Sequence, residues 1–342
     1  MLIAVSQTNE YYPASRASKK EKYFCPACRQ GVVLRRGGHN VDHFAHQSKV
    51  TCTGGLAEGE SLNHLLGKIA LAEYYQKYGK VQIEPILGKI QQRPDLVLRR
   101  LDNSPLAIEY QCSPLGAQRL AERNFGYQSL GYDVLWVLGP EYYHRHLSTA
   151  LICRYWRNGQ ICFYLPKEKH FVVFSNFYKI DFQRVRFHRQ IFANPAFEQL
   201  IPTMVSGPID EGTPDFVRQR AKLTLLLAQK RVDVDLVAYL YQKGWRLDQI
   251  PTWCLLGRQF GLVVPNWHLR LVLILLLMNS AKKCLAISAL NQRLERYFHP
   301  NYQKDCRQVA LVNLYQELEK VGGIKVIDGQ IIVKKLPSFV SE

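Results

Sequence analysis

The stretch RPDLVLRRLDNSPLAIEYQCS, residues 93–113, decides how this chain is read. Two short apolar runs flank the turn-rich LDNSP, which is the pattern of a β-hairpin. Side chains alternate along a strand, so Glu109 and Gln111 share one face while Ile108, Tyr110 and Cys112 share the other. Asp95 opens the first run. Carboxylates facing each other across adjacent strands repel, and burying them is costly unless positive charge lies between them. A hard divalent cation answers that need. Mg²⁺ binds through one or two carboxylates, keeps several waters and accepts phosphate oxygens. Asp95 and Glu109 can face one such ion, with Gln111 placed to orient a water beside it. The plainer alternative is a solvated hairpin with ordinary polar alternation. The nearly continuous apolar run DVLWVLG at 133–139 weighs against it, because such a strand belongs to a sheet covered on both faces.

The flanks extend the pattern. Apolar residues at 62, 65, 66, 69, 70 and 74 form a helical stripe over residues 60–78, and Gly79 is a natural stop. On that helix Glu60, His64 and Lys68 recur every fourth residue. A second helix, over 115–130, follows Pro114 and places Arg119, Arg123 and Tyr127 along one face. With VQIEPIL (81–87), RPDLVLRR (93–100) and LAIEYQC (106–112) as strands, the order is helix, three strands, helix, strand, an α/β core. Acids bordered by Arg, Lys and His suit phosphodiester hydrolysis, in which a metal activates water and cations hold the backbone. Each helix face also has a plainer reading: a capped, solvated face around Glu60, and a snorkelling Arg123 beside a core Tyr127.

Composition sets the class of partner. The chain has 342 residues, 47% of them hydrophobic, so burying a core is not in question. Its formal net charge of +17 favours a polyanionic partner, nucleic acid before an anionic membrane, against a merely basic surface. The 9 cysteines are an odd and mostly scattered set, and the first residues lack the charged start and apolar stretch of a signal peptide. A reduced, cytoplasmic chain is expected, in which a close Cys pair suggests metal more than disulfide. The longest apolar run, LVLILLLM at 271–278, is too short to span a membrane and reads as a buried helix.

Cys25-Pro-Ala-Cys28 has the spacing that lets two thiolates share a tetrahedral ion. Cys25, Cys28, one of His43 and His46, and Cys52 would complete a structural Zn²⁺ site. The two histidines fall on opposite faces of an extended segment, and His46 is preferred. The alternative is a redox-active or incidental pair, with histidines that touch phosphates. The expected organisation is a zinc-finger-like module at 1–56, the α/β core at 57–140, a β-rich extension or linker at 141–195, and a helical region at 196–342. That last region closes in a hairpin around Asp328-Gly329.

The αβββαβ order, with Pro94-Asp95 on the second strand and Glu109-Tyr110-Gln111 on the third, resembles the PD-(D/E)XK restriction-endonuclease-like core, with Gln111 in place of the usual Lys. The stretches FCPACRQGVVLRRG, HFAH, ESLNHLLGK, RPDLVL, IEYQCSP and AERNFGYQSLGYDVLWVLG, in this order over residues 20–140, are similar to the competence protein CoiA family. That resemblance implies an N-terminal zinc-ribbon-like module, a nuclease-like middle domain and an α-helical C-terminal region. It also implies a role in natural transformation. Asp95 and Glu109 would then hold Mg²⁺, Gln111 would orient water, and Glu60 would be an auxiliary acid. Arg123 and Tyr127, with His64 and Lys68, would support the site or the DNA backbone. The expected function is a Mg²⁺-dependent DNA nuclease that processes incoming DNA or recombination intermediates. Its substrate would be single-stranded or branched DNA, with a recombinase and other competence proteins as partners. The alternative is a non-catalytic DNA-binding accessory factor that assists a recombinase. Gln111 keeps it open, since an amide brings no positive charge to an attacking hydroxide.

Overall fold

The computed structural model describes residues 1–26, 28–37, 40–47, 61–157, 159–196, 214–280 and 284–339. Glu60 and Cys52 therefore lie outside the described residues. By its contacts the chain divides into two units: Met1–His146 with Gln160–Phe174 and Arg189–Thr203, and Leu147–Gly159 with Ser175–His188 and Met204–Glu342.

The first unit begins with a five-stranded sheet. Its strands are β1 (Ile3–Ser6), β2 (Tyr11–Pro13), β3 (Tyr23–Phe24), β4 (Gly31–Gly37) and β5 (Asn40–His46), in the order β2-β1-β3-β4-β5. Its small core is Tyr23, Phe44, Val32, Ala4 and the Cys25 side chain. Too few apolar side chains gather here to make an independent core of any size, which is where a metal staple adds most.

Helix α1 (Leu62–Tyr75) follows, capped by Ser61, whose hydroxyl accepts from the His64 amide. A 3-10 turn carries it to Gly79. Strands β6 (Gly79–Ile83), β7 (Leu96–Arg100) and β8 (Pro105–Gln111) form an antiparallel meander. Helix α2 (Ala117–Ser129) crosses over to β9 (Asp133–Leu138), parallel to β8. The observed order is thus helix, three strands, helix, strand. Leu96, Leu98, Leu106, Ile108 and Tyr110 pack with Leu71, Ala72 and Tyr75 of α1. Here the apolar half of the strand alternation meets the apolar stripe of the helix.

One detail differs from the sequence reading. Strand β6 ends at Ile83, where VQIEPIL promised strand through residue 87, because Glu84 turns into the left-handed region (φ 51°) to reach buried cations. Beyond the short helices α3 (Pro140–Tyr143) and α4 (Thr149–Tyr155) come β10 (Gln160–Leu165), β11 (His170–Tyr178) and β12 (Arg186–Phe192). They continue the same sheet in the order β12-β11-β10-β9-β8-β7-β6. The aromatic-rich segment is therefore sheet, with Phe163, Phe171 and Val173 buried.

In the second unit α5 (Phe216–Ala228) and α6 (Val234–Gln242) precede α7 (Asn266–Met278). Asp181 is buried and accepts the Asn266 and Trp267 amides at 2.7 Å each, which caps α7. The run LVLILLLM lies within α7 and is mostly buried, with Met278 exposed at its end. No helix among the described residues is long and apolar enough to cross a membrane. Strand β13 (Cys284–Ala286), helices α8 (Ile287–Leu294) and α9 (Lys304–Lys320), and strands β14 (Ile324–Ile327) and β15 (Gln330–Val333) complete the chain. The hairpin forms at Asp328-Gly329, both left-handed, as a two-residue turn of this type requires. Strand β13, which the helical pattern concealed, pairs with β15.

Candidate functional site

Strand pairing builds the site. Leu96 lies opposite Ile108 and Val97 opposite Ala107, so the register carried one step back sets Asp95 against Glu109. The Tyr110 amide donates to Asp95 Oδ2 at 2.9 Å, and Asp95 O accepts from the Glu84 amide at 2.8 Å. The carboxylate is thereby held at the strand entrance.

Each acid is met by one helix. From α1, His64 Nε2 lies 3.2 Å from Asp95 Oδ2, and Lys68 Nζ lies 3.8 Å from Oδ1. From α2, Arg123 donates to Glu109 Oε1 through Nε at 3.1 Å and again through a terminal nitrogen, and the Tyr127 hydroxyl donates to the same oxygen. Arg123 also reaches Tyr127 Oη at 2.7 Å and the Arg93 carbonyl at 3.0 Å. The fourfold spacing noticed in each helix is what brings these pairs to one acid. The side chains of Asp95 and Glu109 are 16% and 5% exposed.

The two carboxylates titrate in opposite directions. Burial pushes Asp95 up, but the adjacent His64, then Lys68 and the Tyr110 amide, outweigh it and hold the group below the usual carboxylate range. Burial pushes Glu109 up and prevails over Arg123, with the Asp95 charge adding to the rise. Paired carboxylates driven apart in this way recur at sites of acid–base chemistry. Every hydrogen bond that the described residues give Glu109 falls on Oε1, and those to Asp95 fall on Oδ2. Oε2 of Glu109 takes none of these bonds, and Oδ1 of Asp95 faces Lys68 Nζ at 3.8 Å. Gln111 is engaged elsewhere, its amide donating to the Ser113 carbonyl at 2.6 Å. Arg119 lies on α2 as expected, with its side chain exposed.

The sequence reading missed Glu84 and Arg93. Lys68 Nζ is 2.5 Å from Glu84 Oε1, with side chains 0% and 1% exposed, and Arg93 lies 3.6 Å from Oε2. The same carboxylate accepts the Leu2 amide at 3.1 Å and the Ile3 amide at 3.3 Å, so β1 is tied to the residues behind Asp95. An acid inside an apolar run was the signal that singled out Glu109. It is equally present at Glu84 in VQIEPIL. Close approach of α1 completes the arrangement: a Cβ on Gly67 would lie 2.0 Å from the Tyr110 ring.

A second cluster stands in the N-terminal sheet. Tyr23 pairs with Val32 and Phe24 with Gly31, so CPAC occupies the loop of the β3–β4 hairpin. Arg29 takes a left-handed conformation (φ 58°) and its amide donates to the Cys25 carbonyl at 2.9 Å. His46 lies opposite Val32 at the end of β5, beside that loop. The ligand atoms of Cys25, Cys28 and His46 all lie within 4.8 Å of one another, and Cys28 Sγ is 3.3 Å from His46 Nε2. Burial, with nearby positive charge, lowers the His46 pKa and favours the neutral imidazole that a metal requires. These three residues could hold a metal such as zinc. His43 Nδ1 instead lies 2.8 Å from the Val41 carbonyl. The preference for His46 over His43 agrees with this geometry.

Comparison with known proteins follows the same two parts. Residues 60–201 match the family model of the competence protein CoiA nuclease-like domain, and residues 6–54 match that of the CoiA N-terminal domain. A competence protein CoiA from Bacillus subtilis (strain 168) is 33% identical over 133 residues, 39% of this chain and 34% of that relative. The match thus spans about a third of the relative's length. No solved structure matches the chain. The α/β part is therefore a nuclease-like domain preceded by a small module with a Cys/His cluster. The chain belongs to the competence protein CoiA family.

Proposed function

We propose that this chain is a cytoplasmic, Mg²⁺-dependent DNA nuclease of the PD-(D/E)XK type, acting on incoming DNA or recombination intermediates during natural transformation. The observation that carries the reading is Asp95 set against Glu109 across adjacent strands, each paired with the cations of one helix. Asp95 and Glu109 would hold the divalent ion, which would supply charge neutralisation at phosphate and a more acidic water. His64 and Lys68 keep Asp95 ionised. Arg123 and Tyr127 fix the Glu109 rotamer and share its charge. Glu60, outside the described residues, would stand as an auxiliary acid, and Gln111 would act as a water-orienting residue only after releasing Ser113. The basic balance of the chain suits single-stranded or branched DNA, with a recombinase and other competence proteins as partners.

Cleavage of labelled single-stranded, branched and duplex DNA, with Mg²⁺ and with chelator, tests the reading. Mg²⁺-dependent cutting that disappears in Asp95→Asn is expected. Equal cutting by both proteins would refute the assignment.

A second reading, a non-catalytic DNA-binding factor that assists a recombinase, is favoured by one observation. The Gln111 amide is tied to Ser113, and both acids already have protein partners. It predicts salt-sensitive DNA binding with no cleavage under any divalent metal.

In this proposal Cys25, Cys28 and His46, with Cys52 as fourth ligand, hold one structural Zn²⁺. Purified protein is expected to carry about one zinc per chain, and Cys25→Ser to lose it along with stability of the N-terminal sheet. Elemental analysis and thermal unfolding before and after chelation measure both. Full zinc content in the Cys25→Ser protein would remove the cluster from consideration.

A further inference from the structure

The end of the second unit has a topology that the nuclease reading does not use. From α7 onward the elements run helix, strand, helix, helix, hairpin, and β13 pairs with the last strand, giving the order β13-β15-β14. Three helices covered by a three-stranded antiparallel sheet closed in this way is the topology of a winged helix-turn-helix. In that arrangement the helix before the hairpin enters a DNA groove.

The packing makes it a unit with one helix face turned outward. Ile324 and Ile331 line the inner side of the sheet, and Leu290, Leu294, Leu311, Leu314 and Leu318 are buried. Arg307 holds the turn between α8 and α9, donating to the carbonyls of Tyr302 at 2.7 Å, His299 at 3.2 Å and Pro300 at 2.6 Å. Arg270 of α7, 3% exposed, pairs with Glu317 and fixes the other end of α9. Held on these sides, α9 leaves Val309, Val312, Asn313 and Gln316 exposed.

The chemistry of that face points to its partner. Asn and Gln amides pair with adenine edges, and apolar side chains meet thymine methyls. Lys304 and Lys320 stand at the two ends of α9, both exposed. Lys325 lies opposite Ile332, and Lys334 two residues on from Ile332 shares its face, so both lysines project from one side of the hairpin. The nearby acids are partly used internally: Glu317 pairs with Arg270, and Glu319 accepts the Val326 amide at 3.0 Å. What remains is an amide-bearing helix face that carries one exposed acid, Asp305, in its first turn and is bordered by Lys304, Lys320, Lys325 and Lys334, a net positive surround complementary to a polyanion. We infer that residues 266–335 form a winged helix-turn-helix module that binds double-stranded DNA, with α9 in the major groove and the β14–β15 hairpin beside it. This second nucleic-acid site is independent of Asp95 and Glu109.

Fluorescence anisotropy of the full chain on a short mixed-sequence duplex, over a series of salt concentrations in chelator, tests it. The Lys325→Glu/Lys334→Glu protein should bind about tenfold more weakly, with the slope of log K against log salt reduced by about 2, near 0.9 for each lost phosphate contact. Lys325→Gln/Lys334→Gln, which keeps side-chain bulk at exposed positions, should show the same reduction in slope with a smaller loss of affinity. The loss should recur in an Asp95→Asn background, so a failed nuclease reading leaves the test intact. Unchanged affinity and slope in both lysine variants would overturn the inference. So would a chain that is dimeric in sedimentation and becomes monomeric in Val309→Glu/Val312→Glu with duplex affinity unchanged, which assigns the face to a second copy.

Discussion

Glu109→Ala is expected to lose Mg²⁺-dependent cleavage by about a thousandfold, the scale on which removal of one preorganised charge-stabilising group acts. It is also expected to lose stability, by about 1–3 kcal/mol, because Arg123 and Tyr127 are left without their acceptor. Glu109→Gln separates these effects. It keeps an accepting oxygen for Arg123 and Tyr127 but cannot ionise, so it should unfold close to wild type while cutting no better than the alanine protein. The pH dependence has a definite sign. Burial raises Glu109 in the fold above its unfolded value, so the native state binds more protons and this group's contribution falls as pH rises through that interval. Glu109→Gln should therefore gain in melting temperature relative to wild type across the same interval. Wild-type cleavage by the Gln protein would remove Glu109 from the chemistry.

Glu84→Ala carries the largest expected effect on stability. Lys68 has no exposed side-chain surface, and removing its nearer carboxylate leaves that buried charge with Asp95 at 3.8 Å, beside two backbone amides that have lost their acceptor. The loss should be about 3–5 kcal/mol, read as a lower urea midpoint with an unchanged slope. Adding Lys68→Met removes the under-compensated buried charge and should restore part of that loss, a non-additivity that a double-mutant cycle resolves. A Glu84→Ala cost below about 1 kcal/mol, the scale of an exposed pair, would show that the network is solvated.

Much of this site was legible because its logic is local. Alternation in EYQ put Glu109 and Gln111 on one face, fourfold spacing put His64 with Lys68 and Arg123 with Tyr127, and CPAC announced a ligand loop. What escaped depended on contacts distant in sequence. Glu84 looked like one more polar position in a strand, and only the fold brings it to Lys68, Arg93 and the amides of Leu2 and Ile3. Strand β13 has three residues and is paired by a partner more than forty positions away, so no periodicity could reveal it. Gln111 was read by position alone, whereas its amide had a nearer acceptor in Ser113.

The contact between Gly67 and the Tyr110 ring has a consequence for how the chain can vary. Because α1 rests on that ring with no room for a methyl group, the two positions share one fixed volume. Any side chain acquired at 67 must be matched by a smaller residue at 110, or the helix lifts and takes His64 and Lys68 away from Asp95. The spacing between acid and base is thus set by how closely a helix can rest on a single aromatic side chain.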